Sequence, residues 1–262
     1  MSIKLDRFLQ FFEGVICVPF GKVVIDFQSV LIFRVMKKQI SPYYLLLASC
    51  ISFLVLLTIG MLYFPGGTIL DHSTKGYGFF SNFISELGRW RSFNGQTQWI
   101  SFFCFDIALI SQAIVMFVFN LSFLSHTNSK QLSKAAYFVA LVCGSLFPIM
   151  LTGIALTPCD LYLPYHMLCV RIGFAALLPL SLAYTILIRK HHMLPNKYGN
   201  VMLSIVVAIA LYLVMIFFGP NPHKVGFVQQ TSQKIIVYSM IFSLLYLSIG
   251  CIHHLKEVPL KK

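Results

Sequence analysis

The sequence predicts an all-α fold, a polytopic transmembrane helical bundle of six spans, and three observations predict it. Mean hydropathy is +0.80. Hydrophobic residues make up 58% of the chain and charged residues only 11%, against about a quarter charged in soluble domains. Six long apolar runs fit within the 262 residues, each near the roughly 20 residues that a helix needs to cross the hydrocarbon core.

Residues 1–42 read as a basic, amphipathic cytoplasmic or interfacial segment. Phe8, Leu9, Phe11, Phe12, Val15 and Ile16 are interrupted by Gln10 and Glu13, a run too short and too polar to span. No small-residue cleavage site follows, so a removed signal peptide is not expected. Within 22–38, apolar residues at 23, 24, 27, 30, 31 and 35 precede Lys37 and Lys38, which suits a helix lying on the membrane surface. The transmembrane domain occupies 43–262, with spans expected over 43–64, 99–124, 135–157, 165–188, 201–219 and 234–254. Tyr43, Tyr44, Trp99, Tyr165 and Tyr198 fall near their ends, where amphipathic rings favour the interface.

The net charge of +12 does not point to nucleic acid, because the basic residues are spread among apolar segments. Their distribution sets topology instead. Fourteen Lys and Arg flank one side of the spans and five the other. By the positive-inside rule both termini are cytoplasmic, in a cell (inner) membrane, and the loops 65–98, 158–164 and 220–233 face outward. Membrane lipids are the expected partners. The seven cysteines form no CxxC pair and no Cys/His cluster with zinc spacing, so neither metal nor cofactor is expected. Cys159 and Cys169 flank the central turn, and spacing alone does not decide whether they bridge.

Chemistry concentrates around residues 155–174, ALTPCDLYLPYHMLCVRIGF. Pro158 ends the third span and Pro164 opens the fourth. Asp160 and His166 then share one tight turn, and Arg171 lies a short way into the span. The first outer loop adds GYGFFSNFISELGRW, in which Phe79, Phe80, Phe83, Ile84 and Leu87 recur at helical spacing. It predicts a short outer interfacial helix with Ser81, Asn82, Ser85, Glu86 and Arg89 on its other face and Gly88 as its stop. Asp106 and Arg171 sit at similar depths in spans of the same direction, roughly 9–10 Å from the outer end. Unpaired charge in hydrocarbon is costly, so a structural Asp106–Arg171 ion pair is expected. The third outer loop, GPNPHK, places Asn221, His223 and Lys224 on the same side.

YFPGGTILDH, GYGFFSNFISELGR with the later NGQTQWIS, and LTPCDLYLPYHM together resemble the bacterial membrane family catalogued as domain of unknown function 998. The resemblance runs from about Tyr43 to the end of the chain. It implies a six-helix integral membrane protein and brings no settled activity. ISELG is also distantly similar to the DRAM-type and Frag-type six-span proteins. The alkaline ceramidase and adiponectin-receptor superfamily, with Ser, Asp and three His on a membrane-embedded zinc, fails as a comparison. Its HxxxH in a final span is missing, and His253 and His254 are adjacent and predicted at the opposite face from Asp160.

The functional expectation is an outward-facing polar site that binds a lipid headgroup or small amphiphile, lined by Ser81, Asn82, Ser85, Glu86, Asp160, His166 and Arg171. An intramembrane hydrolase or transferase would use Glu86 or Asp160 as base and His166 as acid or ligand. A proton-coupled transporter would use Asp106, but the paired Gly/Pro helix breaks of broken-helix transporters are missing.

Overall fold

The computed structural model describes residues 42–126, 134–191, 194–225 and 227–257. Among them run six helices: α1 (Pro42–Leu62), α2 (Trp99–His126), α3 (Lys134–Ala155), α4 (Leu163–His191), α5 (Asn196–Phe218) and α6 (Val228–Glu257). A 3-10 helix, Ile84–Gly88, lies in the α1–α2 loop. All six long helices are long and apolar enough to cross a membrane. The segment expected over 1–42 lies, Pro42 apart, outside the described residues.

Short connections such as 156–162 force neighbouring helices to run antiparallel. Each helix packs against its neighbours in sequence, and α6 returns against α1. The result is a closed up-and-down ring that gathers the α1–α2, α3–α4 and α5–α6 loops at one end. Each helix is apolar nearly all round because it meets two apolar surroundings. Leu46, Phe53 and Leu57 of α1 are buried, while Ile51 and Val55 on its other side are exposed, as lipid-facing residues are. Small residues set the close approaches that dispersion needs in lipid. A Cβ on Gly144 of α3 would run into the Asn120 amide of α2.

Against the expected spans, α5 begins five residues early, at Asn196, and the largest offset is in the last span. There α6 begins at Val228, six residues before the expected 234. Those two polar turns, VQQTSQ, fall below any hydropathy threshold, yet Gln230 is 0% exposed and Lys234 2%. They are covered by the α1–α2 loop, which dips into the mouth of the ring.

That dip starts at Pro65-Gly66-Gly67. Gly66 and Gly67 have φ of 127° and 86°, a region that side chains rarely adopt. A Cβ on Gly66 would strike the Thr74 carbonyl, and one on Gly67 would lie 2.6 Å from the Asn94 nitrogen. The Gly67 amide donates to Thr74 O at 2.9 Å, and single bridges pair Gly66 with Lys75 and Arg91 with Thr97. Gly88 has no side chain because the Phe105 ring occupies its place. Phe105 is six residues into α2, so the loop reaches roughly 9 Å along the helix axis.

The expected short helix therefore exists, with one correction. Phe79 and Phe80 are exposed, whereas Asn82 and Glu86 are buried with Ile84 and Leu87. The polar side chains are the ones that need partners, and the partners lie inside the ring. Gly67→Ala tests this construction. Strain at positive φ plus the clash with Asn94 should destabilise the detergent-solubilised protein by roughly 1–3 kcal/mol, read as a lowered thermal midpoint, while Gly95→Ala, whose Cβ meets nothing, costs less.

Candidate functional site

The loop is fixed in the ring by a buried polar cluster. Asn82, 0% exposed, organises it. Its amide nitrogen donates to Gly67 O at 2.8 Å and to Glu86 Oε2 at 2.5 Å. Its Oδ1 accepts from the Gly78 amide at 2.8 Å. From α6, the Lys234 ammonium donates to the Asn82 backbone carbonyl and, at 3.4 Å, to Gln230 O. It also lies 5.4 Å from the ring centroids of Tyr77 and of Phe79. One turn along the loop, the Ile84 amide donates to Gln233 Oε1 at 2.7 Å. Gln98, just ahead of α2, donates through Nε2 to Glu86 O at 2.6 Å and Arg89 O at 2.9 Å, satisfying carbonyls at the end of the 3-10 helix.

Glu86 is the strained member. Burial lifts its carboxyl from the ordinary 4.5 to about 7, although the Asn82 hydrogen bond and the positive charges of Arg89 and Lys234 pull it down. The loop thus carries a carboxylate that titrates near neutrality.

A second latch ties the loop to the α3–α4 turn. The Asp160 carboxylate accepts from the Trp90 and Arg91 amides at 3.0 and 2.9 Å. Cys159 donates to Ser85 O at 3.7 Å, and burial pushes its thiol up to about 12, which makes it inert. Cys159 and Cys169 are both free. Arg89 stacks over Phe93 at 4.0 Å.

The predicted site residues therefore separate. Asn82 and Glu86 come together, and Ser81 and Ser85 lie half-buried on the same segment. Asp160 is committed to two backbone amides. His166, 3% exposed, donates through Nδ1 to Thr157 O at 2.8 Å, stapling the head of α4 to the end of α3, and its Nε2 has no partner. Glu86, Asp160 and His166 share no hydrogen bond among themselves.

The expected Asp106–Arg171 ion pair does not form. Asp106 is half-buried, and its Oδ1 has no hydrogen-bond partner. Arg171 is exposed on the α4 face that also shows Leu168 and Ile172. In ring order α3 stands between α2 and α4, so equal depth does not bring the two side chains together. Arg171 can reach the interface by extending its long side chain along the helix. Among the described residues no three His, Cys, Asp or Glu converge as a metal set.

Below the loop lies a chamber, a small, partly open cavity of about 60 Å³. Ile84 and Ser85 of the loop, Phe53 of α1, Phe105, Leu109 and Gln112 of α2, Phe147, Leu151 and Ile154 of α3, Val170, Gly173 and Phe174 of α4, and Gln233, Val237 and Met240 of α6 line it. A smaller void continues past Met240 toward Tyr184 and Leu244. Sequence reasoning missed Gln98, Gln112, Gln230, Gln233 and Lys234. The available signal was glutamines at 230 and 233 with Lys234, which helical spacing puts on one face.

The acid in the cluster sets a pH dependence. A carboxyl whose folded value exceeds its unfolded value stabilises most at low pH, and that stability is lost as pH rises through the folded value. The thermal midpoint should therefore fall between pH about 4.5 and about 7 and level off above. Glu86→Gln should flatten this limb and raise the midpoint at pH above 7. An unchanged pH profile in Glu86→Gln contradicts the assignment.

No curated protein and no solved structure matches the chain. A family model described as a protein of unknown function, DUF998, matches residues 58–247. That interval holds the plugging loop, both latches, most of the chamber lining, the last turn of α1, all of α2 to α5 and most of α6, and the chain belongs to the DUF998 family of multi-pass membrane proteins.

Proposed function

We propose that this protein binds a lipid or similar amphiphile, with the apolar chain in the chamber and the polar end beside the loop. The chamber carries this reading. It is a concave, predominantly apolar space with a few polar groups, Ser85, Gln112 and Gln233, which is how sites for small lipophilic ligands are built. The excess of Lys and Arg on the opposite end of the spans supports an outward-facing loop and cytoplasmic termini. The loop closes the chamber from the water side, so the ligand enters from the membrane.

A hydrolase or transferase reading gains no support from the arrangement. Glu86, Asp160 and His166 are engaged with separate partners, and Cys159 is held as a neutral thiol.

Organic extraction and mass spectrometry of protein purified in mild detergent test the binding reading. A lipophile should co-purify with the wild type. Val170→Phe with Val237→Phe fills the chamber from α4 and α6, and overpacking of this kind should lower occupancy about tenfold. A lipid complement unchanged by both substitutions, in protein that still folds, contradicts it.

A further inference from the structure

Arg171 is exposed within α4, eight residues past Leu163 and so more than two turns from the helix end. The exposed Lys134, Arg189, Lys190 and Lys197 of the spans all lie within a turn of a helix end, where water is at hand. Arg171 makes no hydrogen bond or ion pair with any described residue. The carboxylates at this end of the bundle are committed elsewhere, Asp160 to the Trp90 and Arg91 amides and Glu86 to Asn82. A full charge at such a position is costly unless something outside the protein balances it.

Depth says what can. α4 has 29 residues, a length of roughly 43 Å against about 30 Å of hydrocarbon. Centred in the bilayer, it overhangs by about 6 Å at each end, and the Arg171 Cα, about 12 Å along from Leu163, lies about 6 Å inside the boundary. Helical side chains lean toward the N-terminus, here the loop end. The extended guanidinium therefore returns to the level at which lipid phosphates begin.

The surface beside Arg171 is a furrow. Phe174 and Leu178 follow Arg171 at helical spacing, and the Phe174 ring meets that of Tyr212 on α5 with centroids 4.7 Å apart. Arg171 thus stands on the edge of α4 turned toward α5, about one turn nearer the loop end than that contact. There α5 stands back. None of residues 213–218 is buried, Phe218 is 84% exposed, and α5 contributes nothing to the lining of the cavity below the loop. Half-buried Met215 and Ile216 give the furrow apolar walls.

We infer that this furrow docks an anionic phospholipid from the leaflet at the loop end, its phosphate on Arg171 and its acyl chains in the bilayer alongside α5. A planar guanidinium donates to two phosphate oxygens at once, which an ammonium cannot match. Charge selects the lipid. With Asp160 and Glu86 committed and Asp106 beyond α3, no carboxylate is at hand for the ammonium of a zwitterionic headgroup, so a headgroup of net negative charge fits. The site lies on the membrane face, outside the cavity, and does not rest on the reading above.

Native mass spectrometry of the detergent-solubilised protein tests it, with phosphatidylglycerol, phosphatidylcholine and diacylglycerol of identical chains titrated in turn. Wild type should bind the first phosphatidylglycerol more tightly than either other lipid. Arg171→Gln and Arg171→Met should each weaken phosphatidylglycerol roughly tenfold, the scale of one hydrogen bond to a charged group, and leave diacylglycerol unchanged. Arg171→Lys should fall between them and wild type. Lys224→Gln, which removes one positive charge from the exposed α5–α6 loop, should bind phosphatidylglycerol as wild type does. Phosphatidylglycerol affinity unchanged in a folded neutral variant of Arg171 overturns the inference, as does an equal loss in Lys224→Gln. Phosphatidylcholine bound by wild type as tightly as phosphatidylglycerol overturns the selection for negative charge.

Discussion

The buried contact between α6 and the α1–α2 loop, Lys234 with the Asn82 carbonyl beside Glu86, is the constraint on which the rest depends. Ammonium and carboxylate groups are costly away from water, and they persist there only when surrounded by partners. Here the partners are mostly backbone. Lys234 is held by two carbonyls, Glu86 by the Asn82 amide, and the loop amide of Ile84 by Gln233. The bonds of Lys234 to the Asn82 carbonyl and of the Ile84 amide to Gln233 form only when the loop enters the ring. The polar start of α6 and the inserted loop are thus one structural unit, although roughly 150 residues of chain separate Ile84 from Gln233.

The chamber follows from that insertion. Six helices in a ring leave space at the centre, and the loop fills only its mouth. Below it the lining is nearly all apolar, from Phe53 and Phe147 to Met240. Asp160 and His166 serve the closure at a distance. Asp160 holds the loop against the α3–α4 turn, and His166 holds that turn to α4. Glycine supplies the remaining requirement, since Gly66 and Gly67 bring the loop backbone against itself and Gly88 makes room for the Phe105 ring.

The spans were legible because bilayer thickness imposes a length and a composition that the sequence carries openly. The end of the third span and the start of the fourth were legible from Pro158 and Pro164, while the start of the last span was not. The site was only half legible. Asn82 and Glu86 stood out as polar residues in an aromatic segment, but the sequence could not show which face was buried, because a 3-10 turn held by tertiary contacts does not follow helical periodicity. Lys234 reads in the sequence as one of the five charges on the outer side, because hydropathy starts the last span at that residue. Burial by a distant loop is not encoded in any local window. The Asp106–Arg171 pairing failed for a related reason. Depth along a helix can be read from residue number, while the order of helices around a ring cannot.

Amide hydrogen exchange across residues 82–88, in protein reconstituted into a bilayer, tests the inserted loop most directly, since exchange reports the opening of local hydrogen bonds. An inserted loop predicts exchange as slow as in the flanking helices α1 and α2, and a marked acceleration in Lys234→Met. Exchange of 82–88 as fast as that of the exposed residues 71–73, in the wild-type protein, would contradict it.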